Sequence, residues 1–390
     1  MMRQKNKIER GEKMAEKHYP GETVGIIGSS IHSALIAQAA GKLGYRVASL
    51  VLTPDNPVRQ FATWQTVAEE FDEAALRFFA GRIDVVVVEP GLLTNMQLQV
   101  LAHLTDLPFS EDLMAIATDR LIEKAYLDEK RCLVAPFSMV TNLNDIKEAV
   151  EFIGFPCYLK FAQRHIAPSV EHLILYSEAD YEKAALKVEQ ATCILEAWIP
   201  AEKKVSLIAV RNERGELLVY PPFEKISDNE WGGMQVRYPV TLGIEVEKEM
   251  HRLGRYLVEQ LALVGSATID FLVTAAGVVY INDVNVGLGA EAMFTLGSMS
   301  LSHYEAFVRA IVGLPLPEIM PLAAAAIALP LDSLNVEQVL TQYMLRTDWG
   351  FALFNPIGHA VEDMIGQVIV VGDTVAQCQR QIELTDIAKR

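Results

Sequence analysis

The sequence predicts a mixed α/β and α+β architecture: a parallel-sheet unit at the N-terminus, an α+β middle and a small, mostly β C-terminal part. Three observations carry this. Residues 23–27, 34–43 and 46–52 read as strand, helix and strand, a βαβ unit that implies a parallel sheet. Residues 267–274 and 278–282 are two runs rich in β-branched residues separated by Ala275-Ala276-Gly277, a hairpin signal. After Gly313-Leu314-Pro315-Leu316-Pro317 the composition changes to short β-type runs broken by Pro and Gly turns.

Within the N-terminal unit the first turn is GSSIHSA, beginning at Gly28, and lacks the later glycines of a dinucleotide fingerprint. Ligands of parallel sheets sit beyond the strand C-termini, which makes Gly28 a candidate substrate contact. Residues 83–89, IDVVVVE, form an apolar strand that ends on Glu89, the second such candidate; a solvated strand end is the competing reading. Residues 119–130 open with the N-cap candidate Asp119 and continue as an amphipathic helix that marks entry to a new domain. Lys160 in CYLKF and Glu196 in CILEAWI each place a charge inside an apolar strand, which is costly without a partner. Residues 205–210 and 217–220 suggest another hairpin, and 246–261 a long helix.

The hairpin near residue 275 carries the sharpest signal. Asp270 and Asp283 lie among apolar neighbours on paired strands, and Asn285 follows two residues on. Two carboxylates and an amide oxygen make an all-oxygen set of the kind Mg²⁺ uses when phosphates and water complete its shell. The plain alternative is a polar strand position and an ordinary strand-ending turn.

With 390 residues, 51% of them hydrophobic, the chain can bury a large core and should fold as two or three domains. A net charge of −16 argues against a general nucleic-acid or anionic-membrane binder. Cys132, Cys157, Cys193 and Cys378 are widely spaced and read as buried free thiols of a reducing compartment. Residues 1–20 are highly charged without an apolar core, so a disordered tail is expected there, or upstream sequence if Met14 is the true start. No apolar run is long enough to span a bilayer, and a cytoplasmic location is expected.

Read in order, the middle third offers Lys124, Lys160, Glu196 and then the acid hairpin with Asn285. Two ammonium groups can hold triphosphate oxygens, and a strand acid beside free backbone can read an adenine amine or a ribose hydroxyl. With these pieces the chain resembles the ATP-grasp superfamily and, within it, the N5-carboxyaminoimidazole ribonucleotide synthetase family, the ATPase subunit of phosphoribosylaminoimidazole carboxylase. VGIIG, AAGKLGYRVASLVLTPDNP, ATDRLIEKAYLDEKRCLVAPF, CILEAWIPAEKKVSLIAVRNERGELLVYPP, DFLVTAAGVVYIND, FVRAIVGLPLP and MIGQVIVVGDT carry the resemblance.

The resemblance implies a pre-ATP-grasp domain over 21–118, a two-part ATP-grasp domain over 119–316 and a β-rich C-terminal domain over 317–390. It implies a homodimer that uses ATP, Mg²⁺ and bicarbonate to carboxylate aminoimidazole ribonucleotide. Lys124 and Lys160 stand at the ATP-phosphate lysines, Glu196 at the adenine-hinge acid, and Ala197 to Ile199 at the hinge backbone. Asp270 and Asp283 stand at metal positions where the family has Glu, and Asn285 completes the pattern. Other motifs differ. The lid GGYDGKG is replaced by a glycine-free run from Gln163 to Pro168, Lys204 stands at a ribose-contacting acid, GGGQLG is GSSIHS, and APRxHNSGH is replaced by a run containing Glu291. KMGH is likewise replaced by DMIGQ, with His359 in a different GH pair. Three readings follow: an active ligase of this family, a catalytically impaired nucleotide-binding paralogue, or an ATP-grasp ligase with a different acceptor.

Overall fold

The computed structural model describes residues 17–166, 172–228, 233–287, 293–332, 336–354, 364–385 and 387. Most of the expected N-terminal tail, the 167–168 end of the replaced lid, Glu291 and His359 lie outside these residues.

The N-terminal unit is a parallel sheet of β1 (Thr23–Ile27), β2 (Arg46–Val51), β3 (Trp64–Val67) and β4 (Val85–Val88) in the order β3-β2-β1-β4. β1 and the edge strand β4 read as continuous apolar runs and are fully buried, because helices cover both faces of the sheet. The crossover helix Ile31–Lys42 starts at Ser30, whose hydroxyl accepts from the Ser33 N–H.

The middle of the chain divides into two sheets. The smaller holds β5 (Phe137–Val140), β6 (Cys157–Phe161), β7 (Leu173–Leu175) and β8 (Cys193–Ala197), all antiparallel, in the order β5-β8-β6-β7. Helices Leu143–Ile153 and Tyr181–Val188 close its own core around Ile146, Leu159, Ala184 and Leu195. The larger sheet has nine strands. Its first six are β9 (Ala201–Arg211), β10 (Leu217–Val219), β11 (Phe223–Asp228), β12 (Gly233–Tyr238), β13 (Gly265–Thr274) and β14 (Val279–Val286). Helix Ile244–Gln260 lays Met250, Leu253, Leu257 and Val258 on it at helical spacing. Gly254 allows that approach, because a Cβ there would stand 2.7 Å from Leu207.

The C-terminal strands β15 (Ala325–Asp332), β16 (Trp349–Leu353) and β17 (Met364–Gly372) continue this same sheet, β15 pairing with β12. They also hold a separate apolar cluster with helices Val336–Leu345 and Val375–Glu383. Helix His303–Ile311 packs against Ile31–Lys42, so the N-terminal sheet and the large sheet share one core. All four cysteines are buried and free. Among the described residues no helix is long and apolar enough to cross a membrane.

Candidate functional site

The two sheets of the middle region meet over a cluster of buried charge. On β6 and β8, Tyr158 pairs with Glu196, and Lys160 lies two residues on along the same face. Lys160 Nζ therefore reaches Glu196 Oε2 at 2.7 Å. Lys124 arrives from helix Arg120–Glu129, which Asp119 caps by accepting from the Leu121 and Ile122 N–H groups. That helix turns Arg120, Glu123, Lys124 and Leu127 inward, so charged residues occupy a stripe that helical spacing normally gives to apolar ones. Lys124 is fully buried; its Nζ donates to the Asn282 carbonyl at 2.6 Å and stands 3.7 Å from Glu196 Oε1. The three nucleotide-side candidates are thus one group, with Glu196 between two ammonium groups.

Beside it, the hairpin extends further than its apolar runs indicated: β14 continues to Val286, so Asp283 and Asn285 lie within a strand rather than in a turn. Asp270 and Asp283 are direct cross-strand partners, which puts both carboxylates on one face. A register shift after Asp270 leaves Asn282 as the extra residue, and its carbonyl is the one that Lys124 takes. Lys225 on β11 holds Asp270 at 2.7 and 2.8 Å, and Ser206 Oγ donates to the same carboxylate at 2.6 Å. Arg164, just past β6, donates to Glu123, lies 3.7 Å from Asp283 and donates to Asn285 Oδ1 at 3.3 Å.

These contacts set the protonation states. Burial raises Glu123 to about 7, and Asp283 adds to that, while Arg164 and Lys124 oppose it. For Asp283 burial is outweighed by Lys160, Arg164, Lys124 and Arg120, which hold it at about 2. Burial also works against the charge on Arg164, but Glu123 and Asp283 outweigh it and raise its pKa.

The hinge backbone is partly used within the fold. The Ala197 N–H donates to Pro136 O at 2.8 Å, the Trp198 N–H to Pro156 O at 3.1 Å, and Ile199 O accepts from Ala201 at 2.8 Å. Trp198 stacks on Tyr158 with centroids 5.0 Å apart. The N-terminal candidates meet each other: Glu89 Oε2 accepts from the Ser29 and Ser30 N–H groups at 3.2 Å each and from Ser33 Oγ at 2.8 Å. A Cβ at Gly28 would stand 2.5 Å from that oxygen, so glycine is required for the close approach. The two ends of the site converge where Pro90, Gly91, Arg120, Arg164 and Asn285 line a cavity of about 150 Å³.

The chain is similar to known proteins over most of its length. Residues 125–304 match the model of the ATP-grasp domain and residues 21–117 that of the ribonucleotide synthetase preATP-grasp domain. The N5-carboxyaminoimidazole ribonucleotide synthase of Bacillus subtilis (strain 168) is 30% identical over 301 residues, 76% of this chain and 78% of that protein. The chain belongs to the N5-carboxyaminoimidazole ribonucleotide synthase family. An ADP complex of such a synthetase superposes with a TM-score of 0.89 at 28% identity, covering 96% of this chain and 98% of that one. The Aspergillus clavatus synthase, solved with ADP and 5-aminoimidazole ribonucleotide, shares the fold at 17% identity with a TM-score of 0.84, over 95% and 99% of the two chains. The family's named members are ATP-dependent ligases of purine biosynthesis.

Sequence reasoning did not find Glu123, Arg164, Ser206 and Lys225. Glu123 had a readable signal in its inward helical position beside Lys124. Arg164 lay in the run that replaces the lid, but its partners Glu123 and Asn285, 41 and 121 residues away, gave no signal, and Lys225, 45 residues from Asp270, had none.

Proposed function

We propose that this chain binds ATP between the four-stranded sheet and the β13–β14 hairpin and uses it in the family's ligation, carboxylating the amine of aminoimidazole ribonucleotide with bicarbonate. The observation that carries this is the single cluster formed by Lys124, Lys160, Glu196 and the facing acids Asp270 and Asp283. Lys160 is the more accessible ammonium and would take a phosphate oxygen by turning from Glu196, with Lys124 fixing that acid from behind. The backbone from Ala197 to Ile199 would border the adenine. Burial of Lys124 and Glu196 strengthens the charge contacts at that end of the cluster. We also assign the chain to the cytoplasm, as a homodimer.

Mg²⁺ would need oxygens of Asp270, Asp283 and Asn285. Lys225 and Arg164 already hold oxygens of this set, so the residues as arranged do not fit a divalent ion.

A second reading, a ligase with a different acceptor or a nucleotide-binding paralogue without turnover, is favoured by Glu89. Its carboxylate takes the loop donors that a substrate phosphate would use. The deciding experiment is ADP release from the full chain with ATP, bicarbonate and aminoimidazole ribonucleotide. Stimulation by the ribonucleotide is the expected result. ATP binding without that response moves the conclusion to the second reading, and no binding at millimolar ATP removes both.

A further inference from the structure

We propose that the Arg164 guanidinium and the Lys225 ammonium are resident cations at the acid hairpin, so that this chain grips a polyphosphate without a divalent metal. The inference rests on the nucleotide-binding reading above and specifies what supplies the positive charge there.

The oxygens themselves argue for it. Both carboxylate oxygens of Asp270 lie within 2.8 Å of Lys225 Nζ, and Ser206 Oγ and Asn285 Nδ2 donate to them at 2.6 and 3.1 Å. Asn285 Oδ1 accepts from Arg164 Nη1. Asp283 has Arg164 Nη2 3.7 Å from Oδ1 and the Asn282 amide donating to Oδ2. Mg²⁺ demands six oxygens in near-ideal octahedral array at about 2.0–2.1 Å. An ammonium and a guanidinium on the same oxygens repel such an ion and block its approach.

Charge gives the same answer. Among the described residues four acids, Glu123, Glu196, Asp270 and Asp283, meet five bases: Lys124 and Lys160 at Glu196, Arg164 and Arg120 near Glu123 and Asp283, and Lys225 at Asp270. Such a cluster does not need another cation, whereas a polyanion would be drawn to it. Arg164 also keeps a donor in hand, because its buried Nε–H has no hydrogen-bond partner among the described residues. The cavity of about 150 Å³ lies against its side chain and that of Arg120. Arg164 stands in the run that replaces the family's glycine-rich lid, so a planar, always charged fork takes over from backbone N–H groups as the phosphate donor.

Calorimetric titration of the full chain with ATP, in EDTA and again in excess Mg²⁺, tests this. Affinities within threefold of each other are expected. A larger tightening by Mg²⁺ overturns the inference and leaves the ATP-binding reading intact. If ATP binds in neither medium, that reading and the polyphosphate grip fail together, and a Mn²⁺ titration followed by electron paramagnetic resonance decides separately whether Arg164 and Lys225 hold the hairpin against a divalent ion. The wild type should bind no Mn²⁺ at the hairpin, while Arg164→Gln with Lys225→Met should gain a site that Asp283→Asn abolishes. Mn²⁺ bound by the wild type and lost on Asp283→Asn overturns it, whether or not the double variant folds.

Discussion

Two buried polar regions of this molecule meet the cost of burial in opposite ways. In the candidate site each of these acids faces a counter-charge: Glu196 between two lysines, Asp270 on Lys225, and Asp283 near Arg164 and Lys160, which hold its pKa low. At the start of helix His303–Ile311, His303 is fully buried beside Tyr220 and Tyr304, and neither ring nitrogen has a hydrogen-bond partner among the described residues. Burial and nearby His32 push its pKa down to about 3, so it stays neutral. The difference separates an apparatus for charged ligands from packing that happens to include a polar ring. Desolvation is met by pairing in the first and by loss of the proton in the second.

The largest test breaks a pair. Lys160→Met leaves buried Glu196 with Lys124, at 3.7 Å, as its one ion-pair partner among the described residues, and should cost about 3 kcal/mol in urea denaturation. Adding Glu196→Leu should recover at least half of that loss. A single variant as stable as the parent would mean that the pairing is unimportant.

The His303 side sharpens the contrast through pH. A histidine whose pKa is depressed on folding favours the neutral form, so its full contribution is present above about 6.5 and is lost as pH falls from there toward 3. Replacing it with Phe removes that proton linkage. Between pH 8 and pH 5 the parent should lose about 2 kcal/mol relative to His303→Phe. Parallel stability curves for the two proteins would show that the ring is not held neutral.

The smallest effect lies at the first loop, where a carboxylate is held by backbone donors instead of a cation. Gly28→Ala puts a methyl against Glu89 and should cost about 1 kcal/mol, read as a lowered melting temperature. An unchanged melting temperature would show that Glu89 can leave the loop freely.

Local pattern made much of the fold legible. The βαβ start, the capped helix after Asp119, the hairpin of β9 and β10 and the acid hairpin all follow from periodicity and turn residues within a dozen positions. The site was legible to the same range: Lys160 and Glu196 were visible as charges in apolar strands, and Asp270 and Asp283 as acids on paired strands. Strand neighbours across the molecule were not legible. The C-terminal strands look like a separate small unit in sequence, yet β15 hydrogen-bonds to β12 and extends the large sheet, because an open strand edge accepts any partner the packing brings to it.

By itself the sequence determined the βαβ start, the acid hairpin, the family and the acids and lysines that must find compensation, since burial of charge is costly wherever the chain goes. Only the tertiary structure decided which cations meet which acids. Lys225 and Arg164 are ordinary surface-type residues in sequence, and their meaning comes from through-space distances of a few ångströms between segments tens of residues apart. Coulomb energy depends on that spacing and on the water removed around it, and neither is set by neighbours along the chain.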